Sequence, residues 1–204
     1  MTALSRSDVI ADHVAYAEGR PELRRRMIPL RARRRVRVGD LLMFEFENVD
    51  TLRYQVQEMV YTERLTDPED IQHELDLYGR MLPSSHELCA TMFIELSDAS
   101  TVRAELARLA GLQNAVSIEV GDSSNRMVVP GYELPGLDED PDTPERETVS
   151  VHVLRFRFDD AARDAFRDPD VPAQLVVDHP EYSDDTPIAG ETRLSLLADL
   201  ALDG

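Results

Sequence analysis

The order of elements read from the sequence predicts an α+β protein. Its sheet is mostly antiparallel, with an αα-hairpin and further helices packed on it. Three observations carry that reading. The elements run β, αα, β, α, ββ, β, α, β, α, without the strict alternation of a parallel sheet. Segments such as Met43-Phe44-Glu45-Phe46-Glu47 and Val149 to Phe158 alternate as half-buried strands do. A 204-residue chain with 42% hydrophobic and 30% charged residues is long and apolar enough to bury a core. The expected organisation is an Arg-rich helix and arm over 1–37, followed by a single α+β domain over 38–204.

Along the chain, Val9, Ile10, His13, Val14 and Ala17 have helical spacing and predict a short amphipathic helix. Nine Arg then fall within residues 20–37. Val36-Arg37-Val38 reads as a strand, Gly39-Asp40 as a turn and Leu41 to Phe46 as a second strand. Asp50 is placed to cap a helix from Thr51 to Leu65, whose stripe of Leu52, Val56, Met59 and Val60 continues onto Glu63. Asp67-Pro68 starts the next helix, with Asp at the cap and Pro in the first turn. It buries Ile71, Leu75, Tyr78 and Leu82 and stops at Pro83. The two-residue link, Thr66-Asp67, predicts an αα-hairpin.

Leu88 to Leu96 reads as a buried strand. Asp98 or Ser100 caps a helix carrying Val102, Leu106 and Leu109, with Gly111 beyond its end. Val116–Val120 and Met127–Val129 flank a Gly-Asp-Ser-Ser-Asn turn and predict a hairpin. Residues 130–147 are acidic and Pro-rich, a surface loop or disordered insertion. In the strand from Val149 to Phe158 the apolar residues change face after Leu154, which implies a bulge or burial on both faces. A short helix from Asp159, a strand at Ala173–Val177 and a helix over Glu191–Leu202 on Leu194, Leu197 and Leu200 complete the chain.

Charge narrows the function classes. The net charge is −18, and all 22 basic residues are Arg. Residues 1–37 hold ten Arg against four acids, a net of +6, and the remainder carries −24. Such a field repels phosphate polymers and anionic lipid, so neither nucleic acid nor a membrane surface is expected as a partner. The missing Lys excludes Schiff-base and P-loop chemistry. With abundant Ala, Val and Asp, its replacement by Arg fits GC-rich coding. No apolar stretch approaches the ~20 residues of a membrane span. With no secretory signal and a single Cys, the expected compartment is the cytoplasm.

Several residues could carry chemistry. Glu63 on an apolar stripe and Glu95 at the end of an apolar strand are notable because buried acids need a partner or a metal. With Glu58, Glu74, Glu87, His152 and His179 they form a set that could hold Fe, Mn or Zn. No Glu-x-x-His or His-Glu-x-x-His spacing is present, and pairing of Glu63 and Glu95 with Arg such as Arg53, Arg64 or Arg155 is the plainer account of these acids. His179, between Asp178 and Pro180-Glu181, is held extended past a strand and suits a proton shuttle, a ligand or a turn hydrogen bond. Cys89, in an apolar strand, reads as a buried inert thiol. Arg24, Arg25, Arg26, Arg33, Arg34 and Arg35 are candidate docking cations. Against a −24 body they suit this chain's own acids, a second copy in a homodimer, or an acidic protein.

These residues resemble a bacterial family of uncharacterised proteins, domain of unknown function 3501. The likeness rests on Phe44-x-Phe46-Glu47-Asn48-x-Asp50-Thr51-x-Arg53-Tyr54-Gln55-x-Gln57-Glu58-Met59-x-x-x-Glu63-Arg64. It continues in Glu74-Leu75-x-x-Tyr78, Leu82-Pro83, Glu87-Leu88-x-Ala90-Thr91-x-Phe93-Ile94-Glu95 and His179-Pro180-x-Tyr182. The resemblance implies an association with rubrerythrin-like di-iron proteins and Cys-rich iron–sulfur oxidoreductases, and assigns no catalytic residue. The leading expectation is a cytoplasmic accessory protein of a redox or oxidative-stress system, docking on such a partner and holding a metal through Glu63, Glu95 and His179. Two alternatives stand beside it. One is a small enzyme pairing Glu58 or Glu63 with His179 as acid and base; the other is a structural interaction module docking through its Arg arm.

Overall fold

The computed structural model describes residues 3–134 and 149–200. The chain forms two compact units, one of Met1–Arg33 with Glu47–Leu82 and the other of Arg34–Phe46 with Pro83–Gly204. These units are grouped by packing, whereas the division at residue 37 follows charge.

The first unit is helical. Helix α1 (His13–Ala32) is capped by Asp12, whose carboxylate accepts the amides of Val14 and Ala15 at 2.9 and 3.1 Å. The expected short helix and separate arm are corrected here: α1 continues through Pro21 and Pro29 to Ala32. Arg is a strong helix former, and the Arg-rich sequence carries the helix across two residues that cannot donate. Only Tyr16 and Met27 of α1 are buried.

Helix α2 (Val49–Thr62) starts on Asn48 rather than Asp50. Asn48 Oδ1 accepts the amides of Asp50 and Thr51, and the Asn48 amide donates to Thr51 Oγ1 at 2.9 Å, a reciprocal cap. Helix α3 (Pro68–Gly79) begins at Asp67 as expected. Val56, Val60, Ile71 and Leu75 from α2 and α3 make one core with Val9, and Leu65 and Tyr78 border it.

The second unit is built on an eight-stranded sheet. Its strands are β1 (Arg35–Val38), β2 (Leu42–Glu47), β3 (Glu87–Ile94), β4 (Val116–Val120), β5 (Met127–Glu133), β6 (Val151–Arg157), β7 (Ala173–His179) and β8 (Tyr182–Pro187). Their order is β1-β2-β3-β6-β5-β4-β7-β8. The ladders β1–β2, β3–β6, β6–β5, β5–β4, β4–β7 and β7–β8 are antiparallel, so the α+β class holds.

The sheet curls until its edge strands meet. Thr186 Oγ1 donates to the Arg37 carbonyl at 2.7 Å, and the Tyr182 hydroxyl donates to the Val38 carbonyl at 2.7 Å. Side chains thus occupy edge groups that would otherwise be open to another strand. Helices α4 (Val102–Arg108), α5 (Asp160–Arg167) and α6 (Gly190–Leu200) belong to this unit. Its core gathers Phe44, Phe46, Leu88, Phe156, Phe166 and Leu196.

Of the two readings offered for β6, burial on both faces holds at Val153 and Leu154, and the β3–β6 register runs one to one from Glu87↔Arg157 to Phe93↔Val151, without a bulge. Three local expectations change. The acidic segment 130–147 begins inside β5, which extends to Glu133, and the rest of it lies outside the described residues. In α6 the buried face is Arg193, Leu196, Asp199 and Leu200, while Leu194 is exposed. Strand β8 is an addition to the sequence reading. No helix among the described residues is long and apolar enough to cross a membrane.

Candidate functional site

In the first unit, three residues meet between α1 and α2. Arg20 forks onto Glu58, with Nε 2.9 Å from Oε1 and Nη2 2.6 Å from Oε2. The Tyr16 hydroxyl donates to Glu58 Oε1 at 2.6 Å. These donors, Arg20 foremost, hold the Glu58 carboxyl below its ordinary range despite partial burial. Burial and the same carboxylate push Tyr16 upward. Arg20 also lies over the Tyr61 ring, 5.0 Å from its centroid. Glu58 is therefore fixed as an anion with its oxygens occupied, a poor general base.

Beside this triad is a groove of about 780 Å³ lined by His13, Val14, Ala17, Arg20, Tyr61, Thr62, Arg64 and Thr66. Among the described residues no carboxylate lines it, in a chain of net charge −18. His13 Nε2 is 3.2 Å from the Leu65 carbonyl. Arg64 just past α2 has φ 56° and, among the described residues, is the only non-Gly residue at positive φ. The Leu65 amide donates to the Val60 carbonyl at 3.0 Å, so Arg64 occupies the left-handed position of a helix-ending motif where Gly is usual. A side chain there costs on the order of 1–2 kcal/mol. A cation at a helix C-terminus returns only about 0.3–1 kcal/mol. Arg64 makes no side-chain hydrogen bond or ion pair among the described residues, so none of them offsets the difference.

The sequence-predicted site residues are dispersed. Glu63 is the exposed C-cap of α2 and points off the apolar stripe. Glu95 is exposed past the end of β3 and pairs with Arg37. His179 ends β7, with Nε2 3.2 Å from the Ala110 carbonyl and Nδ1 accepting the Glu181 amide at 3.2 Å, a turn assignment. Among the described residues no three His, Cys, Asp or Glu side chains come together to hold a metal ion. Glu63, Glu95 and His179 thus lie apart, and each acid sits where its element has just ended and is exposed.

Other acids and histidines are satisfied locally. Glu87 takes Ser84 Oγ, Tyr132 Oη and Arg155 Nη1 at 3.0, 3.0 and 2.8 Å. Burial alone would raise its pKa, and these partners outweigh it and lower it. His152 lies between two acceptors, Nδ1 2.6 Å from Glu133 Oε1 and Nε2 3.0 Å from the Val149 carbonyl. Cys89 is buried in β3, as expected.

The Arg series also divides. Arg34 is almost fully buried, bonded to Asp199, to the Phe46 carbonyl at 2.7 Å and to Ser195 Oγ at 3.0 Å, and so cannot face a partner. Arg35 pairs with Glu45 at 2.8 Å. Arg24, Arg25 and Arg26 are exposed on α1, where Arg25 also meets Glu22. Sequence reading missed the groove of His13, Arg20, Tyr61 and Arg64. The available signal was an Arg at the position after a helix end that Gly normally takes.

The curled antiparallel sheet with its separate helical unit defines the protein as α+β, and its comparisons agree. Residues 3–200 match the family described as protein of unknown function (DUF3501), and the chain belongs to that family. A crystal structure of a novel protein of unknown function from Burkholderia pseudomallei K96243 is similar to it. The two are 32% identical with a TM-score of 0.86, over 98% of this chain and 100% of that one. No curated protein matches the chain.

Proposed function

We propose that this protein is an interaction module that docks the acidic surface of a protein partner through the outer face of α1. One observation carries the reading. Val14 and Ile28, 71% and 67% exposed, lie on one side of α1 with Arg25 between them, Arg24 at one border and Glu22, paired with Arg25, at the other. At ~100° per residue, Val14, Pro21, Arg25 and Ile28 fall within about 60° of one another. An apolar strip set among Arg is the composition of a docking face for an acidic surface. In this reading α2 and α3 act as an antiparallel αα-hairpin backing α1. Partner classes to try first are the rubrerythrin-like and iron–sulfur proteins that the family resemblance suggests, in a cytoplasmic redox system.

The test is titration calorimetry of the full chain against a purified rubrerythrin-like protein at two salt concentrations. Binding that weakens with salt, and at least tenfold with Arg24→Glu/Arg25→Glu or with Ile28→Asp, supports the proposal. Absent binding, or binding indifferent to those changes, removes it. Dimerisation lost in the same variants would replace the partner with a second copy.

A further inference from the structure

We propose that the groove bordered by α1 and the end of α2 is a binding site for the phosphate group of a small phosphorylated molecule. Its volume, about 780 Å³, is that of a small-molecule site. Its lining runs against the charge of the chain, with Arg20 and Arg64 and, among the described residues, no carboxylate. The donors are held ready. Glu58 engages Nε and Nη2 of Arg20 and leaves Nη1 unused, and Tyr61 supports the guanidinium face. Arg64 has all its donors available among the described residues, and the Thr62 and Thr66 hydroxyls have no hydrogen-bond partner there.

Two guanidiniums and two hydroxyls present more donors than the two oxygens of a carboxylate can take. They suit the three free oxygens of a phosphate monoester. The second observation is the backbone of Arg64. A residue held in a left-handed conformation that Gly would adopt freely, with its side chain in a groove and no partner among the described residues, marks strain retained for a ligand. Val14 borders both surfaces, but the donors Arg20, Arg64, Thr62 and Thr66 lie apart from Arg24, Arg25 and Ile28, whose substitution tests the docking face, so the two proposals are tested separately.

The experiment follows the thermal midpoint of the full chain against inorganic phosphate, with sodium chloride matching ionic strength and acetate as the carboxylate arm. Phosphate should raise the midpoint beyond the chloride control, and acetate should not. Arg64→Gly should melt no lower than wild type without phosphate, because Gly relieves the strain, while its phosphate affinity falls at least tenfold. Arg64→Lys keeps the charge and loses the guanidinium fork, so its phosphate affinity should lie between those of wild type and Arg64→Gly. A wild-type response no larger than chloride, an equal response to acetate, or unchanged phosphate affinity in Arg64→Gly would each overturn the assignment.

Discussion

The Tyr182 hydroxyl fills the place that a side chain on Gly39 would need. Gly39 turns β1 into β2 with φ 56°, and a Cβ there would collide with Tyr182 Oη and, at 2.7 Å, with Asp184 Oδ2. The same hydroxyl donates to the Val38 carbonyl and accepts the Leu41 amide at 3.3 Å, so it satisfies the turn on both sides. Gly39→Ala should cost about 2–4 kcal/mol, from positive φ and overpacking together. Tyr182→Phe should cost about 1–3 kcal/mol by orphaning the turn. Urea midpoints measure both, and together the two changes should cost less than their sum.

The Arg34–Asp199 pair ties β1 to α6 with both side chains nearly sealed from solvent. Asp199→Ala leaves a guanidinium buried without its counter-ion and should cost about 3–5 kcal/mol. Replacing both partners by apolar residues should recover much of that loss. Chemical denaturation of the single and double variants decides it.

Glu58 sets an acid limit on the helical unit. Its carboxyl titrates lower in the folded chain than the ordinary 4.5, so its contribution is fully present above that value. The contribution is lost as pH falls through the folded pKa. Glu58→Gln should therefore lower the melting temperature at pH 7, and the gap from wild type should close as pH drops below about 4.5.

Glu74 has the opposite sign. Burial on α3 raises its pKa, with Glu63 adding to the shift and His73 opposing it, so the ionised form disfavours folding. Glu74→Gln should raise the melting temperature at neutral pH, and the gain should vanish below about pH 4, where both states are protonated. A fall at neutral pH would show that the carboxylate is stabilising there.

Much of the fold was legible because its signals are local. Asp67-Pro68 fixes the start of α3, and the alternation in Met43–Glu47 and Val116–Val120 fixes strands whose register the sheet then repeats. Strand β8 was hidden because Tyr-Ser-Asp-Asp-Thr-Pro has no apolar alternation. Its place is secured by the β7 ladder and by the Tyr182 and Thr186 bonds to β1, which depend on residues over 140 positions away. The site was legible only in part. Glu58 belongs to a real cluster, yet its Arg20 and Tyr16 partners lie about 40 residues upstream on a helix whose apolar spacing, from Val9 to Ala17, marks only its first part. Glu63 fits the stripe of α2 only if the helix continues, and α2 ends one residue earlier.

The His152 clamp bears on how this chain can vary. One imidazole grips Glu133 on one side and the Val149 carbonyl on the other, and the Leu134 amide bonds the Val153 carbonyl at 2.9 Å. The points where the chain leaves β5 and enters β6 are thereby pinned to each other, independently of what joins them. A change at His152 therefore loosens the exit from β5 and the entry to β6 together, where a change at either end alone would leave the other held.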